Sequence, residues 1–104
     1  MSISIKIHNS YRQIVSICDT ELLGKKFEEK FESGIKQLDV RENFYKGEEA
    51  QEEKAIEIMR DLAKEDATFN IVGERAVNAA IKAGLISEDS VRKIQGIPSV
   101  LVFM

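Results

Sequence analysis

Ile3, Ile5 and Ile7 alternate with Ser4, Lys6 and His8 at the start of the chain. A period of two places every second side chain on one face, so this stretch predicts a half-buried β-strand. Asn9-Ser10 predicts a hairpin turn, and Arg12 to Asp19 a second strand. In that strand Ile14, Val15 and Ile17 fill both faces, which suits a more central position in a sheet.

The period then changes. Leu23, Phe27 and Phe31 stand four apart, with Lys26 and Lys30 on the polar side. This predicts a helix capped by Asp19 or Thr20, whose short side chains can accept a free first-turn N–H, and ending near Ser33-Gly34. Ile35 to Val40 predicts a third strand, and Asn43 to Gly47 a loop. Glu48 to Asp66 reads as one long helix. Ala55, Ile58, Met59 and Leu62 form its buried stripe, and Glu48 and Glu49 suit the positive end of its dipole. Phe69 to Val72 predicts a fourth strand, followed by a helix from Glu74 to Ala83 with Gly84 as its left-handed stop. Ser87 opens a short last helix through Lys93 or Ile94. Gly96-Ile97-Pro98 breaks it, and Ser99 to Phe103 predicts a final strand. The expected fold class is α/β. It is a single domain over residues 1–104, with a mixed sheet of about five strands. An N-terminal hairpin leads into alternating helices and strands, and the helices pack on the sheet.

Composition changes this picture little. The chain has 104 residues, 43% hydrophobic and 32% charged, enough for one real core. Its net charge is −3, unevenly spread. Residues 48–66 carry 8 acidic against 3 basic side chains, and the segments on either side each carry one excess positive charge. The acidity therefore belongs to the long helix, and the rest of the chain does not exclude an anionic partner. The single cysteine, Cys18, can close no intramolecular disulfide and has no companions for a zinc site. A reducing, cytoplasmic compartment is the simplest expectation. The alternating N-terminus is unlike a signal peptide. No apolar run approaches the roughly 18 residues of a membrane span.

Candidate chemistry concentrates in two places. Arg41, Asn43, Phe44, Tyr45, Lys46 and Gly47 combine aromatic rings that can stack on bases with cations that can hold phosphate. Against this, Phe44 can simply plug the core. Asn70-Ile71-Val72-Gly73-Glu74-Arg75 reads as a strand, a glycine turn and a helix start, where free N–H groups and Arg75 could meet an anion. Glu74 already occupies the favourable negative position, and no further glycines complete a dinucleotide fingerprint. Ala76, Ala79, Ala80 and Ala83 give that helix a smooth profile for close packing. His8 has no orienting partner nearby in sequence, and Cys18 reads as a buried, inert thiol. Glu49, Glu53, Glu57 and Asp61 recur every four residues as a solvated face. No catalytic set, metal-ligand set or cofactor fingerprint is present.

Several stretches together resemble a known family. Asp19-Thr20-Glu21-Leu22-Leu23-Gly24-Lys25, Phe44-Tyr45-Lys46-Gly47, Asn70 to Val77 and Gly96-Ile97-Pro98 are similar to domain of unknown function 424, an uncharacterised family of small archaeal proteins. The tail departs from the family, with Ser99-Val100-Leu101-Val102 where a polar His or Gln is expected. The resemblance carries no activity. It implies a translation-related setting, and with it a non-enzymatic accessory protein binding RNA or a ribosome- or translation-related protein. The contacts would be Arg41, Asn43, Tyr45, Lys46, Asn70, Gly73 and Arg75, with Lys25, Lys26 and Lys30 as a further phosphate-facing surface. The alternatives are a small-molecule-binding domain or enzyme with a pocket at the strand ends, formed by Asn70, Arg75 and His8, and a homodimer or docking module using the acidic helix.

Overall fold

The computed structural model describes residues 2–9 and 11–103. Eight strands and three helices follow one another along the chain: β1 Ile3–His8, β2 Gln13–Asp19, β3 Lys26–Phe31, β4 Gly34–Asp39, α1 Glu42–Tyr45, β5 Glu48–Ala50, α2 Glu52–Leu62, β6 Ala67–Val72, α3 Glu74–Lys82, β7 Arg92–Ile94 and β8 Ile97–Phe103. Six of the strands form a mixed sheet in the order β5-β1-β2-β6-β8-β7, and β3 and β4 form a separate hairpin. The α/β class and the mixed sheet are as the residue pattern predicts. The turn expected at Asn9-Ser10 involves Ser10, which lies outside the described residues, but β1 and β2 do pair antiparallel. The apolar β2 is central, antiparallel to β1 and parallel to β6.

One face of the sheet carries the main core. Ile3, Ile5, Val15, Ile17, Phe69 and Ile71 pack there against Met59 and Ala55 of α2 and Ala76, Ala79 and Ala80 of α3. Alanine side chains let α3 lie close to the sheet, and its three fully buried alanines are those of the expected stripe. Glu52 pairs with Lys82, and Arg60 donates to the Lys82 carbonyl, which ties the two helices along their wet edge. The acidic face of α2 is solvated, with Lys54–Glu57 and Lys64–Asp61 as exposed i,i+3 pairs.

Five expected elements are different. The helix from Asp19 to Ser33 is instead a 3-10 turn at Thr20–Leu22 followed by β3. A spacing of four satisfies a strand as well as a helix, because residues four apart also share a strand face. The strand expected after it exists as β4, but it pairs with β3 and not with the main sheet. Residues 43–47, expected as a loop, begin in the short helix α1. The long helix starts later, because Glu48–Ala50 pairs with the free edge of β1. The short last helix is a 3-10 turn, Glu88–Ser90, and then β7, which returns as β8 through Gln95-Gly96. Both turn residues have positive φ, at 55° and 76°, the geometry of a tight two-residue hairpin.

Candidate functional site

The start of α3 is already occupied by the protein's own carboxylate. Asp19 ends β2, which lies parallel to β6, and reaches across to the helix that follows β6. Its Oδ1 accepts the Ala76 N–H at 2.8 Å and its Oδ2 the Arg75 N–H at 3.2 Å. The first-turn N–H groups expected to be free for an anion therefore have an anion. Gly73 permits the approach: a Cβ there would lie 2.4 Å from Asp19 Cγ, and its φ of +107° is one that L side chains rarely adopt. Arg75 closes the arrangement. Its Nη2 donates to Glu21 and lies 3.9 Å from Asp19 Oδ2. Gly73 and Arg75 thus serve the fold. Asp19 is buried, and burial is the main influence that pushes its pKa up, opposed by the Ala76 and Arg75 N–H groups and the Arg75 charge.

The second face of the sheet is covered by α1 and the β3–β4 hairpin. Three alternate side chains of β1 hold the α1 segment by its backbone. Ser4 Oγ donates to the Tyr45 carbonyl and accepts the Gly47 N–H, both at 2.9 Å. Lys6 Nζ donates to the Asn43 carbonyl at 2.9 Å, and His8 Nε2 to the Phe44 carbonyl at 2.9 Å. A carbonyl only accepts, so Nε2 carries the proton. The His8 ring also stacks on Phe44, centroids 4.6 Å apart. The polar face of β1 is therefore a docking face for α1. Beneath it, Tyr45, Cys18, Val72, Val40 and Leu22 form a second core with Phe27 and Leu38 of the hairpin. Burial, with Asp19 and Glu21 nearby, pushes the Cys18 thiol up to about 12, and it is inert there.

The cover is incomplete. A cavity of about 460 Å³ remains between the second face and the hairpin, with Leu38, Tyr45, Asn70, Arg92, Ser99 and Leu101 in its lining. Asn70 stands mid-sheet, opposite Ser16 on one neighbour and Leu101 on the other. Its side-chain amide is half-buried and makes no hydrogen bond among the described residues. The buried Tyr45 hydroxyl, the half-buried Ser99 hydroxyl and the exposed Arg92 guanidinium likewise bond to no other described residue. Four unpartnered polar groups thus line one apolar-floored hollow. Tyr45 is 7% exposed, and burial, ahead of Cys18 and Asp39, pushes its hydroxyl up to about 12, so it stays a donor at neutral pH.

The expected contact residues are divided by this arrangement. Tyr45 and Asn70 come together in the cavity. Arg41 and Asn43 lie outside, where they line a smaller hollow of about 350 Å³ with Asp39, Phe44 and Tyr45. Arg41 Nε is 3.0 Å from Asp39 Oδ2, and Lys46 is exposed. Arg75 and His8 do not line the cavity with Asn70. Lys25, Lys26 and Lys30 stand on and beside a strand, not a helix, and Lys26 lies 3.9 Å from Glu28. Reasoning from the sequence missed Leu38, Arg92 and Ser99. The legible signal was Gln95-Gly96 between two short β-like runs, a hairpin cue that places Arg92 opposite Ser99.

Fold and site together define a small α/β domain with a second-face cleft roofed by a β-hairpin. Residues 7–104 match the family described as "Protein of unknown function (DUF424)", and the chain belongs to that family. It is also similar to a solved structure, an uncharacterized conserved protein from Methanopyrus kandleri. The TM-score is 0.86 at 25% identity, over 99% of this chain and 91% of that one. No curated protein matches the chain. No helix among the described residues is long and apolar enough to cross a membrane.

Proposed function

We propose that this chain is a small-molecule-binding domain whose ligand sits between the second face of the six-stranded sheet and the β3–β4 hairpin. The observation that carries the reading is Asn70, an amide in mid-sheet without a partner among the described residues, lining the cavity that Tyr45 also lines. Polar groups that line a cavity and bond to no other described residue are free to meet a ligand, and one ligand can satisfy several at once. The cavity volume of about 460 Å³ falls within the range of small-molecule sites, and a few convergent polar groups over an apolar floor are their usual lining. The RNA reading drew its stacking rings from Phe44 and Tyr45. Phe44 is stacked on His8 and Tyr45 is buried, so the cleft is the better-supported contact.

Thermal unfolding against a collection of metabolites tests this on wild type and Asn70→Leu. A compound at a hundredfold excess over its Kd adds about 2.7 kcal/mol, roughly 10 °C for a domain of this size. At least one compound is expected to raise the wild-type Tm in this way and to lose most of the effect in the variant. A screen in which no compound distinguishes the two proteins removes the proposal.

A further inference from the structure

The cleft continues past Arg92. Leu38, Arg92 and Ser99 also line a second hollow of about 730 Å³, together with Phe31, Lys36 and Lys93. No Asp or Glu lines either hollow. That is unexpected in a protein with 18 acidic and 15 basic side chains. Lys36, Arg92 and Lys93 also form no ion pair among the described residues. The nearby hairpin carboxylates Glu28 and Glu29 bond to neutral amide N–H groups and line neither hollow. Glu29 stands across the hairpin from Lys36, but its Oε1 accepts the Gln95 N–H at 2.7 Å. Glu28 accepts from the Gln37 amide at 2.8 Å. Arg92 and Ser99 face each other in the β7–β8 register. Directly paired residues point to the same side of a sheet, so a guanidinium and a hydroxyl, both unpartnered, sit side by side in the cleft.

We infer that the ligand is a phosphorylated small molecule, with its phosphate on Arg92 and Ser99, Lys36 facing it from the hairpin, and its body running toward Asn70 and Tyr45. This rests on the cleft being the binding site. A guanidinium offers a planar fork of donors that matches two oxygens of a phosphate, and charge-assisted hydrogen bonds of this kind are the strong ones. A phosphate monoester carries nearly two negative charges at neutral pH. It answers the Arg92 guanidinium with Lys36 across the hollow better than a single carboxylate does. Hydroxyl and amide groups further in would select the uncharged body.

Nuclear magnetic resonance titration of the whole chain with phenyl phosphate, phthalate and benzamide tests the inference. Phthalate is a carboxylate of similar charge, and benzamide is neutral. Phenyl phosphate is expected to shift the Lys36, Arg92 and Ser99 amide resonances saturably. Binding should be at least tenfold tighter than for phthalate and should weaken at least tenfold in Arg92→Gln. Lys36→Gln, on the exposed hairpin, should weaken it less. Equal binding of phthalate, unmoved resonances, or an Arg92→Gln protein that binds like wild type would overturn the inference. Benzamide reports on the cleft alone. Shifts at Asn70 and Leu101 with benzamide but no preference for phenyl phosphate would leave the cleft standing and remove the phosphate.

Discussion

Asp19 and Gly73 exclude each other's space: a Cβ on Gly73 would fall 2.4 Å from Asp19 Cγ and 2.7 Å from both carboxylate oxygens. The glycine is what lets a carboxylate from the end of β2 reach the N–H groups of α3. Gly73→Ala should destabilise the protein by about 3 kcal/mol, combining backbone strain at positive φ with the clash. Asp19→Ala should cost about 2 kcal/mol, because it leaves two helix-start N–H groups without their acceptor. In the double variant the clash is gone and only strain remains. Urea unfolding should therefore show the pair costing at least about 1 kcal/mol less than the sum of the singles. Additive effects would mean that the two residues do not meet.

Asp19 and Glu21 share Arg75 but respond to pH with opposite sign. Burial holds the folded pKa of Asp19 above its ordinary 3.8. The folded state then binds that proton more readily than the unfolded chain. Its contribution is full below the ordinary carboxylate range and is lost as pH rises through the folded value. For Glu21, burial pushes upward but is outweighed by the Arg75 hydrogen bond, and the folded pKa lies below the ordinary 4.5. Its contribution is present above that value and is lost as pH falls through the folded one. Unfolding between about pH 3 and pH 7 should show wild type gaining on Asp19→Asn toward acid and losing ground to Glu21→Gln. Movement of both differences in one direction would contradict the arrangement.

Ser4 is fully buried and holds both the Tyr45 carbonyl and the Gly47 N–H. Ser4→Ala strands two backbone groups at once and should cost about 2–3 kcal/mol. Hydrogen exchange should speed up across α1 and β5 more than across β6. Uniform acceleration would mean that Ser4 supports the whole core rather than this attachment.

Groups reserved for a ligand contribute little to folding. Tyr45→Phe and Asn70→Leu remove polar groups that bond to nothing within the described chain. Each should leave stability within about 0.5 kcal/mol of wild type or raise it, unlike most substitutions at buried positions. A loss of 2 kcal/mol or more, on the scale of a stranded buried partner, would show that the chain satisfies these groups itself.

The elements with an unambiguous period were legible in the residues: β1 from its isoleucine alternation, α3 from its alanines, and β2 and β6 from their apolar runs. The hairpin was not, since Leu23, Phe27 and Phe31 at spacing four fit a strand face as well as a helix face. β5 was not either, because three residues become a strand only where the edge of β1 accepts them. The site divided along the same line. Tyr45 and Asn70 stood out by chemistry. Arg92 did not, because β7 was read as a helix, and Leu38 did not, because its strand was legible but its pairing with β3 was not; the cleft exists only where that hairpin faces the sheet. Arg75 stood out as a cation at a helix start, but its partner Asp19 lies 56 residues away, beyond any local pattern.

Crystals of the protein soaked with a collection of small fragments would show directly where ligands settle. Fragments are expected to gather between the β3–β4 hairpin and the second face of the sheet. A fragment polar atom should come within about 3.2 Å of the Asn70 amide. Fragments collecting instead around Arg41 and Lys46, with the cleft left bare, would contradict the proposed site.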